Sequence, residues 1–297
     1  TGCMIIPAGP TEHRGGRGRN VTYTGATPSP TTYHKDMNTM DIATTGSAVD
    51  FGDASDENNF GSGMASATRG VFKQGRSSSG YVDTMRFVTF SSLGGMTDFG
   101  DDRGASQDSS ASSSNGIRGI FGNGTGYDAV IQSITISTTG DTVEFGTLAS
   151  GRYMGGGAGG ASPTRGFFFG GLVSGQPAGD KIIESVSFAS GGAASKFGEL
   201  TVGRRAIAAV TNNTRAVSCS GDTPSTNTMD FITMASEGNA TDFGDITNQN
   251  GGYGAGGSSA TRGLISGCSP DNYNRIDYIT IASTGNASDF GDTTYGS

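Results

Sequence analysis

Six arginines recur at one position of a long repeat, and acidic residues recur beside a repeated Phe-Gly pair. The arginines are Arg19, Arg69, Arg118, Arg165, Arg215 and Arg262. The acidic residues are Asp50, Asp53, Asp98, Asp101, Glu144, Glu199, Asp242, Asp245, Asp289 and Asp292. Because Ca²⁺ is held by carboxylate oxygens, this pattern could build six copies of a metal or ligand site.

A structural role is the favoured interpretation of the same residues. The planar guanidinium of each arginine can bond a carboxylate, or strand carbonyls of its own unit or of the next. Lys196 and Thr147 replace the acid in two units, which a ring of equal metal sites would not tolerate. We therefore expect no resident metal. We also expect Arg165→Ala to lower the melting temperature, because breaking a buried pair is destabilising.

The other residue types that support catalysis are sparse. The two histidines, His13 and His34, lie in the irregular first unit, and a metal enzyme would need a convergent cluster. Cys3, Cys219 and Cys268 are too few and too irregular for a disulfide framework or a C-x-x-C site. No acid or serine stands apart from its copies in the other units, so we expect a non-enzymatic protein without a cofactor.

The segments in which the units differ are the candidate binding loops. They are 106–115, 172–180 and 271–274, together with the nearby Tyr127, Asn272 and Tyr273. Loops on a rigid scaffold often carry binding groups, and Ser, Asn and Tyr can hydrogen-bond to sugars or stack on them. The same residues are also common in exposed loops that bind nothing.

Two independent markers show that the elements positioning these residues are repeated six times. The arginines recur every 47 to 50 residues, and the phenylalanine of the Phe-Gly pair recurs every 46 to 52 residues. These phenylalanines are Phe51, Phe99, Phe145, Phe197, Phe243 and Phe290. A period in the forties indicates a propeller or a solenoid.

Each unit contains strand patterns and no helical period. One strand opens at the arginine, an apolar strand follows, a short strand carries Phe-Gly, and a Gly-rich segment such as 201–210 supplies a weaker fourth strand. The apolar runs are Met85–Phe90, Ile131–Ile136, Ile183–Phe188, Met229–Met234 and Ile276–Ile281. The prediction is an all-β, six-bladed β-propeller of four-stranded antiparallel blades with little or no helix.

A closed ring is favoured over a solenoid because the terminal units lack polar caps. Residues 1–14 stand where the first unit needs its Gly-rich strand, so the N-terminal segment should complete the circle beside the sixth unit. The letters N-T-M-D occur at 38–41 in the first unit and at 227–230 in the fifth. If they are aligned, the central strand of the first unit is three residues shorter than that of the fifth. The predicted blades of this single domain are 1–54, 55–102, 103–148, 149–200, 201–246 and 247–297.

The aromatic-Gly strand end, the glycine turn and the spacing of about 47 residues resemble kelch-type propeller repeats, with phenylalanine in place of the kelch tryptophan. The strings T-R-G-V-F, I-D-Y-I-T-I-A-S-T-G-N-A and D-F-G-D are similar to repeats in virion structural and tail-fibre-like proteins of marine phages, especially cyanophages. The similarity extends over nearly the whole chain. It implies a virion location and docking on other virion proteins, with host-surface glycans as further partners.

Composition excludes several other classes of function. The net charge is −8, and phosphate binding needs clustered Lys and Arg, so nucleic acid is not an expected partner. No apolar run approaches the ~20 residues that span a bilayer. The chain starts at Thr1 without an initiator methionine, as a mature product or a piece of a longer polypeptide would.

Three functions remain open. The first is a non-enzymatic virion appendage, fibre or surface-decoration module. The second is an extracellular bacterial propeller that binds carbohydrate or mediates adhesion. The third, which has the least support, is a propeller enzyme acting on glycans.

Overall fold

The computed structural model describes residues 4–5, 18–23, 25–28, 31–92, 94–104, 108–122, 124–155, 159–247, 252–267 and 274–294. Within these ranges the regular structure is all β, with no helix. Six mainly antiparallel, four-stranded sheets follow one another along the chain and form a six-bladed β-propeller. The predicted architecture is confirmed.

Each blade runs from the axis outward through four consecutive strands. The inner strands are Met4–Ile5, Ser62–Ala65, Ala111–Ser114, Gly159–Ala161, Ala208–Thr211 and Ala255–Ser258. The second strands are Arg19–Tyr23, Arg69–Lys73, Arg118–Gly122, Arg165–Phe169, Arg215–Gly221 and Arg262–Ser266. The third strands are Thr31–Asp41, Thr84–Thr89, Val130–Thr135, Ile182–Ser187, Thr226–Thr233 and Arg275–Thr280. The outer strands are Val49–Asn58, Thr97–Asp101, Val143–Thr147, Ser195–Glu199, Thr241–Asp245 and Ser288–Asp292.

Short additional strands decorate this plan. Ala26–Pro28 pairs with the start of the third strand of blade 1, and Gly192–Ala193 pairs in parallel with the outer strand of blade 3. Two small ribbons are formed by Arg76–Ser77 with Gly80–Tyr81, and by Arg152–Tyr153 with Leu172–Val173.

The predicted shortening of the first unit is wrong. Arg19 pairs with Asp41, as Arg215 pairs with Thr233, so the register places Asn38 opposite Thr22, where blade 5 has Asp230 opposite Ser218. The repeated letters N-T-M-D are therefore a chance match offset by three positions. The third strand of blade 1 has 11 residues and is the longest of the six.

A polar residue closes the turn between the first and second strands. Asn212 Oδ1 accepts from the N–H groups of Thr214 (2.9 Å) and Arg215 (2.8 Å). The hydroxyls or amides of Ser66, Asn115, Ser162 and Ser259 accept in the same way. A short Ser or Asn side chain competes well for such N–H groups. This turn fixes where the second strand begins, and therefore where its repeat arginine lies.

The inner strands close the ring. Each contacts the inner strand of the next blade, and Met4–Ile5 lies between Ala255–Ser258 and Ser62–Ala65. The N-terminal segment thus completes the circle as predicted. Small residues are required here, since a Cβ on Gly256 would lie 1.9 Å from the carbonyl oxygen of Ala209. A Cβ on Gly159 would lie equally close to the carbonyl oxygen of Ser112.

The hydrophobic core lies between the blades. Each of the six interfaces is filled by buried apolar side chains from the two facing sheets. The interface of blade 6 with blade 1 contains Leu264, Ile276 and Phe290 on one side and Met40 and Ile42 on the other. A single sheet exposes both of its apolar faces, so each blade depends on its neighbours.

Candidate binding site on the loop face

The two ends of the propeller differ. One end carries the short turns between strands one and two and between strands three and four. We call the other end the loop face, because it carries the connections between strands two and three and the linkers between blades. Most departures from the repeat lie there, as the connections 74–83, 102–110, 148–158 and 170–181 show.

Some of the sequence-predicted binding residues lie on this face. Tyr127 lies in the connection between strands two and three of blade 3, with a φ of 53° and an exposed fraction of 37%. The described part of 106–115 begins at Asp108, and 172–180 is described in full. Asn272 and Tyr273 lie outside the described residues, as do His13, Cys3 and Cys268.

Five side chains from five different linkers converge near the axis of the loop face. We call Phe60, Asp108, Tyr153, Arg205 and Tyr253 the axial cluster. The linkers converge because each one must return from an outer strand to the next inner strand. Asp108 and its neighbour Ser109 are buried, and the other four members of the cluster are half-buried.

Left-handed backbone positions and cross-linker hydrogen bonds hold this convergence. Phe60, Ser109, Ala206 and Tyr253 have φ between 55° and 66°, and each stands two residues before an inner strand. Ser109 N donates to Phe60 O (2.8 Å), and Tyr253 N donates to Ala206 O (3.0 Å). Non-glycine residues seldom adopt this conformation, so four occurrences at one structural position mark a strained and specific arrangement.

Aromatic contacts and one guanidinium shape the cluster. The rings of Phe60 and Tyr253 pack edge to face with centroids 5.7 Å apart. Arg205 lies 5.0 Å from the ring centroid of Tyr153 and pairs with Asp222 at 3.0 Å. Burial raises the pKa of Tyr153, whose hydroxyl faces Ser109 and Tyr253. The cluster therefore presents partly exposed aromatic rings beside a fixed cation.

Asp108 is the acid of the cluster. Its carboxylate is 3.5 Å from Arg76, which also stacks on Tyr81 at 4.5 Å. Only 3% of the residue is exposed, the Ser109 hydroxyl faces its carboxylate, and Oδ1 has no donor in hydrogen-bond geometry among the described residues. Burial raises the pKa of Asp108, although Arg76 and Lys73 oppose this effect. A buried acceptor without a donor is costly, and a ligand hydroxyl could satisfy it.

Polar residues at the second position of the apolar run anchor the linkers. Glu184 accepts from Ala149 N (2.9 Å), and Asp277 accepts from Thr247 N (3.1 Å). Asp230 accepts from Thr201, Gln132 accepts from Arg103 N, and Asn38 accepts from Thr294. The anchoring of linkers by these residues was not predicted from the sequence. The signal was one polar residue at the same place in I-Q-S-I-T, I-E-S-V-S, M-D-F-I-T and I-D-Y-I-T.

Buried ion pairs reinforce the same linkers. Lys73 pairs with Asp102 at 2.8 Å, Arg204 pairs with Asp230 at 2.7 Å, and Arg152 pairs with Glu184. All six side chains are at most 1% exposed. Removing one partner of such a pair leaves an uncompensated buried charge. These pairs therefore hold the linkers in place. Because the six side chains are buried, their charges cannot contact a ligand.

The repeat arginines contact the next blade and not the repeat acids. Their guanidinium groups donate to carbonyls just after the third strand of the following blade. The pairs are Arg19 with Phe90, Arg69 with Ile136, Arg118 with Phe188, Arg215 with Ala282, and Arg262 with Ile42 and Ala43. The side chain of Arg165 makes no such bond to a described residue. Arg165→Ala, which was expected from the sequence to be destabilising, therefore changes a repeat arginine that lacks this interblade contact.

The Phe-Gly pairs also form interblade contacts. Phe51, Phe99, Phe197, Phe243 and Phe290 are buried, and Phe145 is half-buried. Their carbonyls, except that of Phe145, accept from the turn glycine of the next blade, as Gly285 N donates to Phe243 O (2.7 Å). The neighbouring acids are mostly exposed, and no group of His, Cys, Asp or Glu suited to a metal is found within the described ranges.

Comparison with known proteins adds no family assignment. No protein-family model matches the chain, and no curated protein matches it. Among the described residues, no helix is long and apolar enough to cross a bilayer.

Proposed function

We propose that this propeller is a non-enzymatic recognition module that binds a glycan at the axial cluster. The observation that carries the proposal is the convergence of Phe60, Tyr153 and Tyr253 with Arg205 and a buried acid on one face. Each comes from a different linker, so only the complete ring assembles the site.

The chemistry of the cluster suits a sugar. Aromatic rings pack against the apolar C–H face of a pyranose, while its hydroxyls can donate to a carboxylate and accept from a guanidinium. Asp108 Oδ1 offers an unused acceptor, and Arg205 offers a donor already oriented by Asp222. The half-buried rings would lose little conformational entropy on binding.

A binding role is favoured over a glycan-processing one. Glycoside hydrolysis needs two carboxyl groups that flank the bond, and acyl transfer needs a nucleophile beside a base. The axial cluster contains one carboxylate, Asp108, which lies beside Arg76, and the nearby carboxylate of Asp222 is paired with Arg205. The residues of the cluster therefore support orientation of a ligand better than bond cleavage.

The proposed setting is a phage particle, in which the end of the propeller opposite the loop face, or the blade edges, dock on other virion proteins. It rests on the similarity of the repeats to those of marine phage structural proteins. The second candidate is a bacterial adhesive propeller with the same glycan site. Mass spectrometry of purified particles distinguishes the two, because absence of the protein from virions would exclude the first.

A glycan array with purified protein tests the binding site. We expect Tyr253→Ala to lose the signal, because it removes a ring of the cluster. Tyr127→Ala is the matched control, since Tyr127 lies on the same face outside the cluster and should keep it. Loss of the signal in Tyr127→Ala alone would move the site to the loop predicted from sequence. An array without any bound glycan would refute the glycan function.

A further inference from the structure

A cleft of about 290 Å³ opens on the loop face between blades 1 and 2. Two departures from the repeat create it. The outer strand of blade 1 continues to Asn58, with ten residues where the other outer strands have five. The connection between strands two and three of blade 2 folds into the hairpin of Arg76–Ser77 and Gly80–Tyr81. No other blade has this combination among the described residues.

The charges that line the cleft balance. Arg86 holds Asp56 through two nitrogens, at 3.0 and 2.8 Å. Lys35 and Glu57 are the other two charged residues of the lining. Two cations face two acids, so a ligand with net charge of either sign meets repulsion as well as attraction. The lining favours a neutral polar ligand.

The rim of the cleft offers unused hydrogen-bonding groups. Lys35 Nζ has three N–H groups and donates one of them to Ser55 O at 3.0 Å. At the rim, the Glu57 carboxylate accepts from Ser78 N at 3.1 Å and also faces the Ser78 hydroxyl, which donates to it. The hydroxyls of Ser78 and Ser79 are exposed beside it. Donors and acceptors at close spacing match the hydroxyl groups of a sugar ring.

Gln74 lies at the floor of the cleft and carries a side-chain amide. The residue is fully buried beside the hydroxyl of Tyr23, and its side-chain carbonyl oxygen has no donor in hydrogen-bond geometry among the described residues. Burying such an oxygen without a donor is unfavourable, which makes it a receptor for a ligand N–H. Val82 also lines the cleft and supplies an apolar surface of methyl size.

We propose that this cleft binds the N-acetylated hexosamine unit of a glycan. The acetamido N–H donates to Gln74 Oε1, the acetyl methyl group packs on Val82, and the ring hydroxyls bond Glu57, Lys35 and the serines. The inference rests on the proposed function only in taking the ligand to be a carbohydrate. It adds a second site and a sugar class.

One hairpin separates the cleft from the axial cluster. Arg76 on this hairpin pairs with Asp108, while Ser77 and Ser78 on the same hairpin line the cleft. An oligosaccharide long enough to pass this hairpin would contact both sites together. Linked sites raise the effective concentration for the second contact, so longer oligosaccharides should bind more tightly.

Isothermal titration calorimetry with N,N′-diacetylchitobiose and cellobiose tests the sugar class. We expect heat of binding with the first disaccharide and at least roughly fivefold weaker binding of the second, which lacks the N–H. Equal affinity for both, or no binding of the acetylated sugar, would overturn the proposal without any variant.

Substitutions locate the site. Gln74→Met keeps the side-chain volume but removes the carbonyl, and we expect roughly fivefold or greater loss of affinity for the acetylated disaccharide. Gln176→Met, on an exposed loop of the same face, is the matched control and should bind as the unmodified protein does. If Gln74→Met does not fold, as judged by its melting curve, Glu57→Ala at the rim takes its place with Glu144→Ala as its control.

The outcomes separate the two proposals. Loss of binding in Gln74→Met and retention in Tyr253→Ala support the cleft, whatever the glycan array finds for the axial cluster. Retention in Gln74→Met with loss in Tyr253→Ala would overturn the cleft while supporting the axial site. Loss in the Gln176→Met control would also overturn the assignment to Gln74.

Discussion

The repeat arginines and phenylalanines act at the surface between blades. Arg262 stacks on Tyr278 of its own blade at 4.6 Å and donates to Ile42 O and Ala43 O of the next, at 3.0 and 2.9 Å. Charge-assisted bonds to otherwise orphaned strand-end carbonyls explain why arginine recurs there. The recurrence was visible in the sequence. The partner was not, because sequence separation between Arg262 and Ile42 gives no hint of contact.

Arg262→Ala should lower the free energy of unfolding by about 1–3 kcal/mol, because it removes hydrogen bonds from a charged group and one cation–π contact. Arg165→Ala is the internal control, since its side chain makes no such bond to a described residue. We expect a smaller loss there. Urea denaturation of both variants measures the difference, and equal losses would contradict the assigned role of the interblade bonds.

Asp108→Asn tests the buried acid of the axial cluster. Because burial raises the pKa of Asp108, the native state takes up this proton at a higher pH than the unfolded chain does. Protonation therefore favours the native state as the pH falls from 7 toward the ordinary aspartate value of about 3.9.

Over that interval the unmodified protein should gain stability relative to Asp108→Asn, as measured by urea denaturation at several pH values. The exposed Asp289→Asn serves as the control for the loss of one surface carboxylate. A difference that stays constant with pH would show that the buried carboxyl does not titrate as its surroundings require.

The strands were predictable to different degrees. The second and third strands carry strong apolar patterns: a strand was predicted to open at Arg69, and Arg69–Lys73 is found. The inner strands carry little pattern, since their residues are chosen for small size. The predicted Gly-rich strand over 201–210 is observed as Ala208–Thr211, and the preceding residues form a linker.

The linkers explain why the candidate site escaped prediction. Tyr153, Arg205 and Tyr253 do not share one offset in the repeat, and they meet only because the ring brings five linkers to one axis. Phe60 and Tyr253 do share an offset, since each is an aromatic residue two positions before an inner strand. The variable loops chosen from the sequence lie on the face that carries the axial cluster: segment 106–115 contains Asp108, whereas Tyr127 lies outside the cluster.

Gly256→Ala should destabilise the inner strands. Its Cβ would lie 1.9 Å from Ala209 O, so the strands of blades 5 and 6 would have to separate. Overpacking of this kind costs about 1–3 kcal/mol. Gly104→Ala is the control, because a Cβ there meets nothing within 4 Å, and it should change stability by less than about 0.5 kcal/mol. Thermal melting of both variants decides, and similar melting temperatures would contradict the packing argument.

The whole molecule is a ring, and its sixth interface, between blades 6 and 1, has the same kinds of contact as the interfaces between blades 1 and 2 and between blades 2 and 3. Gly46 N donates to Phe290 O at 2.9 Å, as Gly94 N donates to Phe51 O at 3.1 Å. Arg262 bridges blade 6 to blade 1 as Arg69 bridges blade 2 to blade 3. Closure was predictable because the count of strands left one place that only the N-terminal segment could fill.

Deleting residues 1–5 should weaken that closure. The change removes the inner strand Met4–Ile5, which bridges the inner strands of blades 6 and 2. We expect the melting temperature to fall by roughly 10 °C or more, since each kcal/mol shifts it by about 2–4 °C in a chain of this size. A chain shortened after Thr294 keeps every described strand and serves as the control. Calorimetry showing equal melting of both chains would contradict a ring that needs this strand.

The repeat-arginine and Phe-Gly contacts between blades and the proposed binding groups lie at opposite ends of the sheets. The contacts of Arg262, Gly46 and Phe290 lie toward the end with short turns, whereas the axial cluster and the cleft lie at the other. A substitution in an exposed loop therefore leaves the repeat-arginine and Phe-Gly contacts between blades untouched. Such a scaffold can acquire a new specificity by changes in a few connections, without a compensating change in what keeps the circle together.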